Sequence, residues 1–201
     1  MEVVKAVLRQ ASAANERVAI RADHKSYSYL QLSASALNIS NLLVSKDIKG
    51  INGTRYLDGA RVGIVAKPSA EFVAAVLGTW HCGGVAVPLA LSYPEAELLH
   101  VMNDSDVSMI LSTQEHQQLM DSVASKCSAH LSLIPAVLNM EQSGSGAADM
   151  IAKLIGEIEE SRIAEGPNSD RGMGIYMFGS VSALSTFTPY PPRMEHMSLI
   201  D

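Results

Sequence analysis

Short apolar runs alternate with helix-type patterns through the middle of the chain. Four runs of apolar residues predict buried strands, at 61–66, 85–87, 107–111 and 131–134. The intervals between them carry apolar residues at three- and four-residue spacing, which is typical of amphipathic helices. Strands that alternate with helices favour parallel βαβ units. We therefore predict an α/β fold, a partial doubly wound parallel sheet with flanking helices on both faces.

The first 58 residues show local signals of a different kind. Apolar residues at positions 3, 4, 7 and 8 predict a short amphipathic helix. The runs 17–20 and 25–28 predict a small β-hairpin that turns around Asp23-His24. Glycine, asparagine and aspartate in 48–58 predict a loop.

Serines at capping positions predict where helices begin. In Ser28-x-x-Gln31 the hydroxyl and the amide each satisfy one unpaired backbone N–H, so this capping box predicts a helix over 29–45. The same spacing recurs in Ser92-x-x-Glu95 and Ser112-x-x-Glu115. These two repeats predict helices near 93–103 and 113–125.

One stretch has the length of a membrane span, because residues 72–94 contain no charge over 23 positions. The pair Gly83-Gly84 and the prolines Pro88 and Pro94 interrupt it, so the stretch favours a helix, a glycine turn and a buried strand over a transmembrane helix. Ser69 is the predicted cap of that helix, and Glu71 is well placed for the positive end of its dipole. We expect no membrane association.

The sequence changes character after residue 140. The Ser- and Gly-rich segment 142–146 predicts a flexible linker, and 147–162 predicts an amphipathic helix. Residues 171–201 contain no lysine and no regular period. We expect residues 1–170 to form one partial domain and 171–201 to be a disordered tail.

Composition and charge narrow the class of protein. The chain has 201 residues, 47% apolar and 18% charged, which is typical of a globular protein. A net charge of −6 argues against a nucleic-acid partner. Two lone cysteines, Cys82 and Cys127, and the lack of an apolar leader predict buried thiols and a cytoplasmic location, with mitochondrion or plastid left open.

The search for chemical motifs is negative. The sequence contains no GxxxxGK[ST] loop, no GxGxxG turn and no GxSxG elbow. No two of the six histidines have metal-ligand spacing on a helix face, so each is expected to be a surface or a structural histidine. Asp104 and Asp106 favour a turn at the end of a helix. Gly83-Gly84 permits either a close ligand or close packing between helix and strand.

A resemblance to a known family emerges at residues 59–113. The elements that show it are GARVGIVA, the helix from Ser69 to Trp80, GGVAVPL, Ser92-Tyr93-Pro94 with Glu95, and Asp104-Ser105 before the next strand. In this order they resemble the N-terminal part of the large domain of AMP-forming acyl-CoA synthetases, in the adenylate-forming ligase superfamily. The opening MEVVKAVLRQ and the run KPSAEF look most like the plant malonate–CoA ligases.

The resemblance implies an ATP-dependent ligase. Such an enzyme joins a small carboxylic acid, here malonate, to AMP, releases pyrophosphate and passes the acyl group to coenzyme A. It implies ATP, Mg²⁺ and coenzyme A as cofactors of the complete enzyme, malonyl-CoA as product and a place in fatty acid metabolism. The family's phosphate loop has the form SGTTGxPKG, whereas residues 174–183 read GIYMFGSVSA without a lysine.

No position of this chain therefore takes over a family catalytic, cofactor-binding or metal-binding role. We expect a truncated ligase fragment that is inactive and binds no cofactor alone, with a tail from a shifted reading frame or a retained intron. The alternative is a non-catalytic interaction or regulatory partner of a full-length ligase. A partial sheet would also expose apolar surface through which chains could associate.

Overall fold

The computed structural model describes residues 2–13, 17–46, 57–137 and 139. The elements in these ranges are α1 (Glu2–Ala13), β1 (Val18–Ala22), β2 (Lys25–Ser28), α2 (Tyr29–Lys46), β3 (Arg61–Val65), α3 (Ala70–His81), β4 (Val85–Pro88), α4 (Glu95–Asp104), β5 (Val107–Ser112), a 3₁₀ helix (Gln114–His116), α5 (Gln117–Cys127) and β6 (His130–Leu133). The predicted linker 142–146, helix 147–162 and tail 171–201 lie outside the described residues, as does most of the loop 48–58.

Four of the strands form the parallel sheet that the sequence predicts. Their order is β4-β3-β5-β6, and every neighbouring pair is parallel. Helix α3 packs on one face, together with α1 and α2, while α4 and α5 pack on the other. The strand residues are apolar in near-continuous runs because both faces are covered. The predicted α/β fold with flanking helices is confirmed.

Each face of the sheet has its own hydrophobic core. Val62 and Ile64 of β3 point into the core under α3, and Val65 points into the core under α4 and α5. The register between β3 and β5 shifts by one residue within β5: Arg61 pairs with Val107, whereas the next residue, Val62, pairs with Met109. The extra residue bends the ladder and brings Met109 into the core under α3.

The N-terminal elements follow the sequence pattern closely. β1 and β2 form an antiparallel hairpin, and Asp23 and His24 adopt positive φ values of 50° and 60° at its turn. The predicted capping box at the start of α2 is present. The Ser28 N–H donates to Gln31 Oε1 at 2.8 Å, and the Gln31 N–H donates to Ser28 Oγ at 3.2 Å.

The capping box predicted at Ser92 is wrong. α4 begins two residues later than predicted, and extended Pro94 is its N-cap residue, without a side-chain cap. Glu95 instead reaches α5, where its carboxylate accepts hydrogen bonds from Ser122 and Lys126. The S-x-x-E spacing here reflects a contact between two helices.

The capping box predicted at Ser112 is also wrong. Ser112 is the fully buried last residue of β5, and its hydroxyl donates to the Thr113 carbonyl at 3.0 Å. A short 3₁₀ helix without a side-chain cap follows, and α5 begins only at Gln117. The predicted helix 113–125 is therefore shifted towards Cys127.

Two glycines allow close packing around α3. A Cβ atom at Gly78 would lie 2.6 Å from the Ala36 carbonyl oxygen, so this glycine lets α2 and α3 cross closely. A Cβ atom at Gly84 would lie 2.9 Å from Leu57 Cδ1 and 3.2 Å from the Ala60 carbonyl oxygen. Close packing, rather than approach of a ligand, accounts for Gly84.

The 23-residue uncharged stretch divides between α3, the glycine turn and β4, as predicted. Among the helices that the structure describes, none is long and apolar enough to cross a membrane. Neither Cys82 nor Cys127 forms a disulfide; Cys82 is buried, whereas Cys127 is half-buried rather than buried as expected.

Candidate functional site

The strand order creates one position where open α/β sheets ordinarily bind ligands. The connection after β3 runs along the face of the sheet that α3 covers, and the connection after β5 runs along the opposite face, which α5 covers. Between two such strands the connections diverge and leave a crevice beyond the carboxyl ends. The candidate site is therefore the edge where β3 and β5 end.

The β3 side of this edge is built around the start of α3. Ser69 is the N-cap residue, and its Oγ accepts the Phe72 N–H at 3.2 Å. Glu71 lies in the first turn, where its charge complements the helix dipole. Lys67 is exposed just after β3 and contributes a cation to this edge.

The Glu71 carboxylate also binds a distant part of the backbone. Its Oε1 accepts the Val137 N–H at 3.1 Å. Ile134 and Val137 are buried in the core under α3, so the chain leaves β6 on the α3 face.

Burial raises the pKa of Tyr27 above its usual range, and the charges of Glu71 and Asp23 raise it further.

The β5 side contributes polar atoms from a tight turn. The Thr113 N–H donates to the Val65 carbonyl at 3.1 Å, which holds the two strand ends together. Thr113 Oγ1 is buried and has no hydrogen-bond partner in the described part of the chain. His116 Nε2 lies 3.2 Å from Glu115 Oε1, its neighbour in the 3₁₀ helix.

A small cavity lies away from this edge, between α1, α2 and α3. Its volume is about 10 Å³, which is room for a single water molecule. Ser33 and His81 are its polar lining residues, and His81 Nδ1 lies 3.2 Å from Ser40 Oγ. Of the two roles expected for this histidine, its buried position fits the structural one, and the cavity is too small for a substrate.

A family comparison identifies the chain. The family described as AMP-binding enzyme matches residues 7–165. The chain belongs to the AMP-binding enzyme family. This family match covers more than half of the sequence and confirms the resemblance that its motifs indicated.

Curated relatives of this family member include plant ligases. The malonate–CoA ligase of Arabidopsis thaliana is 60% identical over 146 residues, which are 69% of this chain and 24% of that protein. A Humulus lupulus protein named Probable CoA ligase CCL8 is 58% identical over 164 residues, which are 74% of this chain and 27% of that protein. The chain thus spans about a quarter of the length of these relatives.

Solved structures share the fold of this chain. ATP-bound MatB from Rhodopseudomonas palustris has a TM-score of 0.52 and 22% identity, with 75% of this chain and 28% of that chain covered. The nonribosomal peptide synthetase FmoA3 has a TM-score of 0.56 and 19% identity, with 71% and 14% covered. At this identity the likeness concerns the fold.

The described residues of this family member do not fit a complete nucleotide site. No group of three His, Cys, Asp or Glu side chains in the described ranges is arranged to hold a metal ion. Among the described residues where β3 and β5 end, Lys67 is the one Lys or Arg side chain, whereas a triphosphate requires extensive charge neutralisation. The segment 174–183, where the phosphate loop was expected, lies outside the described residues.

Sequence reasoning singled out no catalytic, cofactor-binding or metal-binding residue, and that prediction stays untested. Asp104 ends α4 as predicted, and Asp106 adopts a φ of 50° and pairs with Arg61 at 3.5 Å. From the sequence, Glu71 was expected only to complement the dipole of α3. Its contact with Val137 spans 66 residues, so no local pattern could have revealed it.

Proposed function

We propose that this chain is the N-terminal scaffold of an ATP-dependent, AMP-forming acid–CoA ligase of the malonate–CoA ligase type. The observation that carries the proposal is the 60% identity to the Arabidopsis malonate–CoA ligase over 146 residues. The parallel sheet and its two helical layers provide one wall of the ligase domain. The substrates of the complete enzyme are then malonate, ATP with Mg²⁺, and coenzyme A.

We further propose that the 201-residue chain alone does not catalyse adenylation. The sequence contains no SGTTGxPKG loop, and the described residues offer neither a metal cluster nor a set of cations for a triphosphate. The residues of this chain therefore build one wall of the ligase domain, while the reacting groups belong to other parts of the ligase. Cytoplasmic location and a place in fatty acid metabolism are part of the same proposal.

Pyrophosphate exchange tests this proposal directly. The purified full chain is incubated with ATP, Mg²⁺, labelled pyrophosphate and malonate, and the Arabidopsis ligase serves as the active control. We expect no malonate-dependent exchange from the chain and robust exchange from the control. Exchange by the chain at a rate near that of the control would overturn the proposed inactivity.

A further inference from the structure

Ser33 in α2 differs from other helical serines of this protein in how its hydroxyl group is satisfied. A serine hydroxyl inside a helix ordinarily donates to a carbonyl of the preceding turn. Ser12 Oγ donates to the Leu8 carbonyl at 3.1 Å, and Ser45 Oγ donates to the Leu42 carbonyl at 2.8 Å. Ser33 Oγ is buried and has no hydrogen-bond partner among the described residues.

The Ser33 hydroxyl lies deep inside the protein. The residue is 2% exposed, so bulk water does not reach its Oγ. A hydroxyl that leaves water without gaining a new hydrogen bond destabilises the folded state. For this reason buried polar atoms are almost always bonded to protein groups or to ordered water. The burial of Ser33 therefore indicates a partner from outside its own helix.

Ser33 lines the small cavity between α1, α2 and α3. The volume of about 10 Å³ accommodates one water molecule. His81 is the other polar side chain in the lining, and its Nδ1 lies 3.2 Å from Ser40 Oγ. The remaining lining residues are apolar, among them Val4 and Leu77. Two polar side chains, one from α2 and one from α3, therefore share a space in which a water molecule fits.

The cavity follows from the way in which the three helices pack. Ser33, Ala36 and Ser40 lie on one face of α2, because they are spaced by three and four residues. Gly78 of α3 crosses this face closely at Ala36. Ser33 lies one turn before the crossing, where α1 covers the gap with Leu8. The side chain of serine is too short to fill that gap.

We propose that this cavity is a binding site for one ordered water molecule, which hydrogen-bonds Ser33 Oγ and the His81 imidazole and so links α2 to α3 beneath α1. The inference is independent of the proposed function. A water molecule can donate or accept, so it fits either tautomer of the ring. The lining residues include no Asp, Glu, Lys or Arg, so a bound ion would lack a counter-charge.

Oxygen-17 magnetic relaxation dispersion tests the inference, because it counts water molecules that stay bound longer than the protein tumbles. The full 201-residue chain is compared with its Ser33→Ala and Ser35→Ala variants. Ser35 is a half-buried serine of the same helix that does not line the cavity. We expect Ser33→Ala to lose one long-lived water and Ser35→Ala to lose none. Equal counts in all three proteins would overturn the inference.

The stability of the two variants gives a second test, whose sign depends on the water. Both substitutions raise helix propensity alike, so the difference between them reports the surroundings of the hydroxyl. Because Ser33→Ala removes the anchor of the water, we expect its folding equilibrium constant to be about threefold lower than that of Ser35→Ala. Urea unfolding measures both constants. An equal or higher constant for Ser33→Ala would overturn the inference, since loss of an unpaired buried hydroxyl is favourable.

A crystal structure of the unmodified chain tests the inference without any variant. We expect density for a water molecule about 2.8 Å from Ser33 Oγ. A Ser33 Oγ that donates to the Tyr29 carbonyl, with no water in the cavity, would overturn the inference. None of these measurements uses ligase activity, so their failure leaves the proposed function standing.

Discussion

The Glu71 carboxylate accepts the backbone N–H of Val137 at 3.1 Å, across 66 positions of sequence. The contact joins the first turn of α3 to the segment that follows β6. It holds that segment on the α3 face, where Ile134 and Val137 are buried. This hydrogen bond and the burial of Ile134 and Val137 together direct the chain as it leaves the sheet.

Replacement of Glu71 by alanine is expected to destabilise the fold by about 1–2 kcal/mol, because the Val137 N–H loses its acceptor. Urea unfolding measures the change, and hydrogen exchange at Val137 should accelerate. Glu97→Ala is the matched control: Glu97 occupies the first turn of α4 but is exposed, so its loss should cost under about 1 kcal/mol. Equal effects of the two replacements would contradict a stabilising role for the hydrogen bond between Val137 and Glu71.

Gly78→Ala tests the close crossing of α2 and α3. An alanine in a helix normally stabilises it by about 0.5–1 kcal/mol relative to glycine. Here the new Cβ would lie 2.6 Å from the Ala36 carbonyl oxygen, so we expect a net loss of about 1–3 kcal/mol. Thermal melting measures it, and a stabilised Gly78→Ala variant would show that the helices are farther apart.

Gly59→Ala provides the comparison for that variant. Gly59 has a φ of 84° and nothing within 4 Å of its added Cβ, so its replacement reports backbone strain alone. The expected cost is about 1–2 kcal/mol. Ile39→Ala removes the Cγ2 atom that lies 2.9 Å from the added Cβ at Gly78, so in a double-mutant cycle it should cost less beside Gly78→Ala than alone, and cost the same beside Gly59→Ala.

Ser28→Ala is expected to cost about 1 kcal/mol, because it removes the acceptor of the Gln31 N–H at the start of α2. Ser92→Ala, at the same S-x-x-E/Q spacing, is expected to change stability by less than about 0.5 kcal/mol, since Ser92 caps no helix. Chemical denaturation of both variants measures the difference. Equal losses of stability in the two variants would show that Ser92 does cap α4.

These two serines show what the sequence could predict. Ser28 and Gln31 satisfy one another locally, so their pattern is sufficient to locate the start of α2. Ser92 and Ser112 have the same spacing, yet Pro94 delays α4 and Ser112 is buried at the end of β5. A local pattern cannot distinguish these cases, because the competing partners come from distant elements.

The sheet was predictable for a related reason. The apolar runs of β3 and β5 are bounded by turn residues and separated by helices, which specifies parallel pairing without knowledge of strand order. The order itself, the extra residue in β5 and the contact of Glu71 with Val137 depend on packing between distant segments. The candidate site at the ends of β3 and β5 depends on that order, so the sequence alone could not locate it.

The contact between α4 and α5 should depend on pH. Hydrogen bonds from Lys126 and Ser122 lower the pKa of Glu95. A lowered carboxyl pKa in the folded state stabilises the protein above the unfolded value of about 4.3, and this contribution is lost as the pH falls through the folded pKa. We expect Lys126→Met to lower the melting temperature slightly at pH 7 and not at pH 2.

Lys67→Met is the control for this pH series. Lys67 is exposed and lies just after β3, away from the α4–α5 contact. Its replacement should leave the pH dependence of melting unchanged. Added salt should reduce the Lys126→Met effect at pH 7, because the pair is solvent-accessible. An effect of Lys126→Met that persists at pH 2 would contradict the role of the Glu95 charge.

If this chain is the N-terminal scaffold of a malonate–CoA ligase, it should be interchangeable with the matching part of a known one. A chimaera in which residues 1–139 of this chain replace the matching part of the Arabidopsis ligase tests it most directly. Malonate-dependent pyrophosphate exchange is measured for the chimaera, for the parent ligase and for the 201-residue chain alone. We predict exchange by the chimaera within about tenfold of the parent, and none by the chain alone. A folded chimaera without malonate-dependent exchange would contradict the claim.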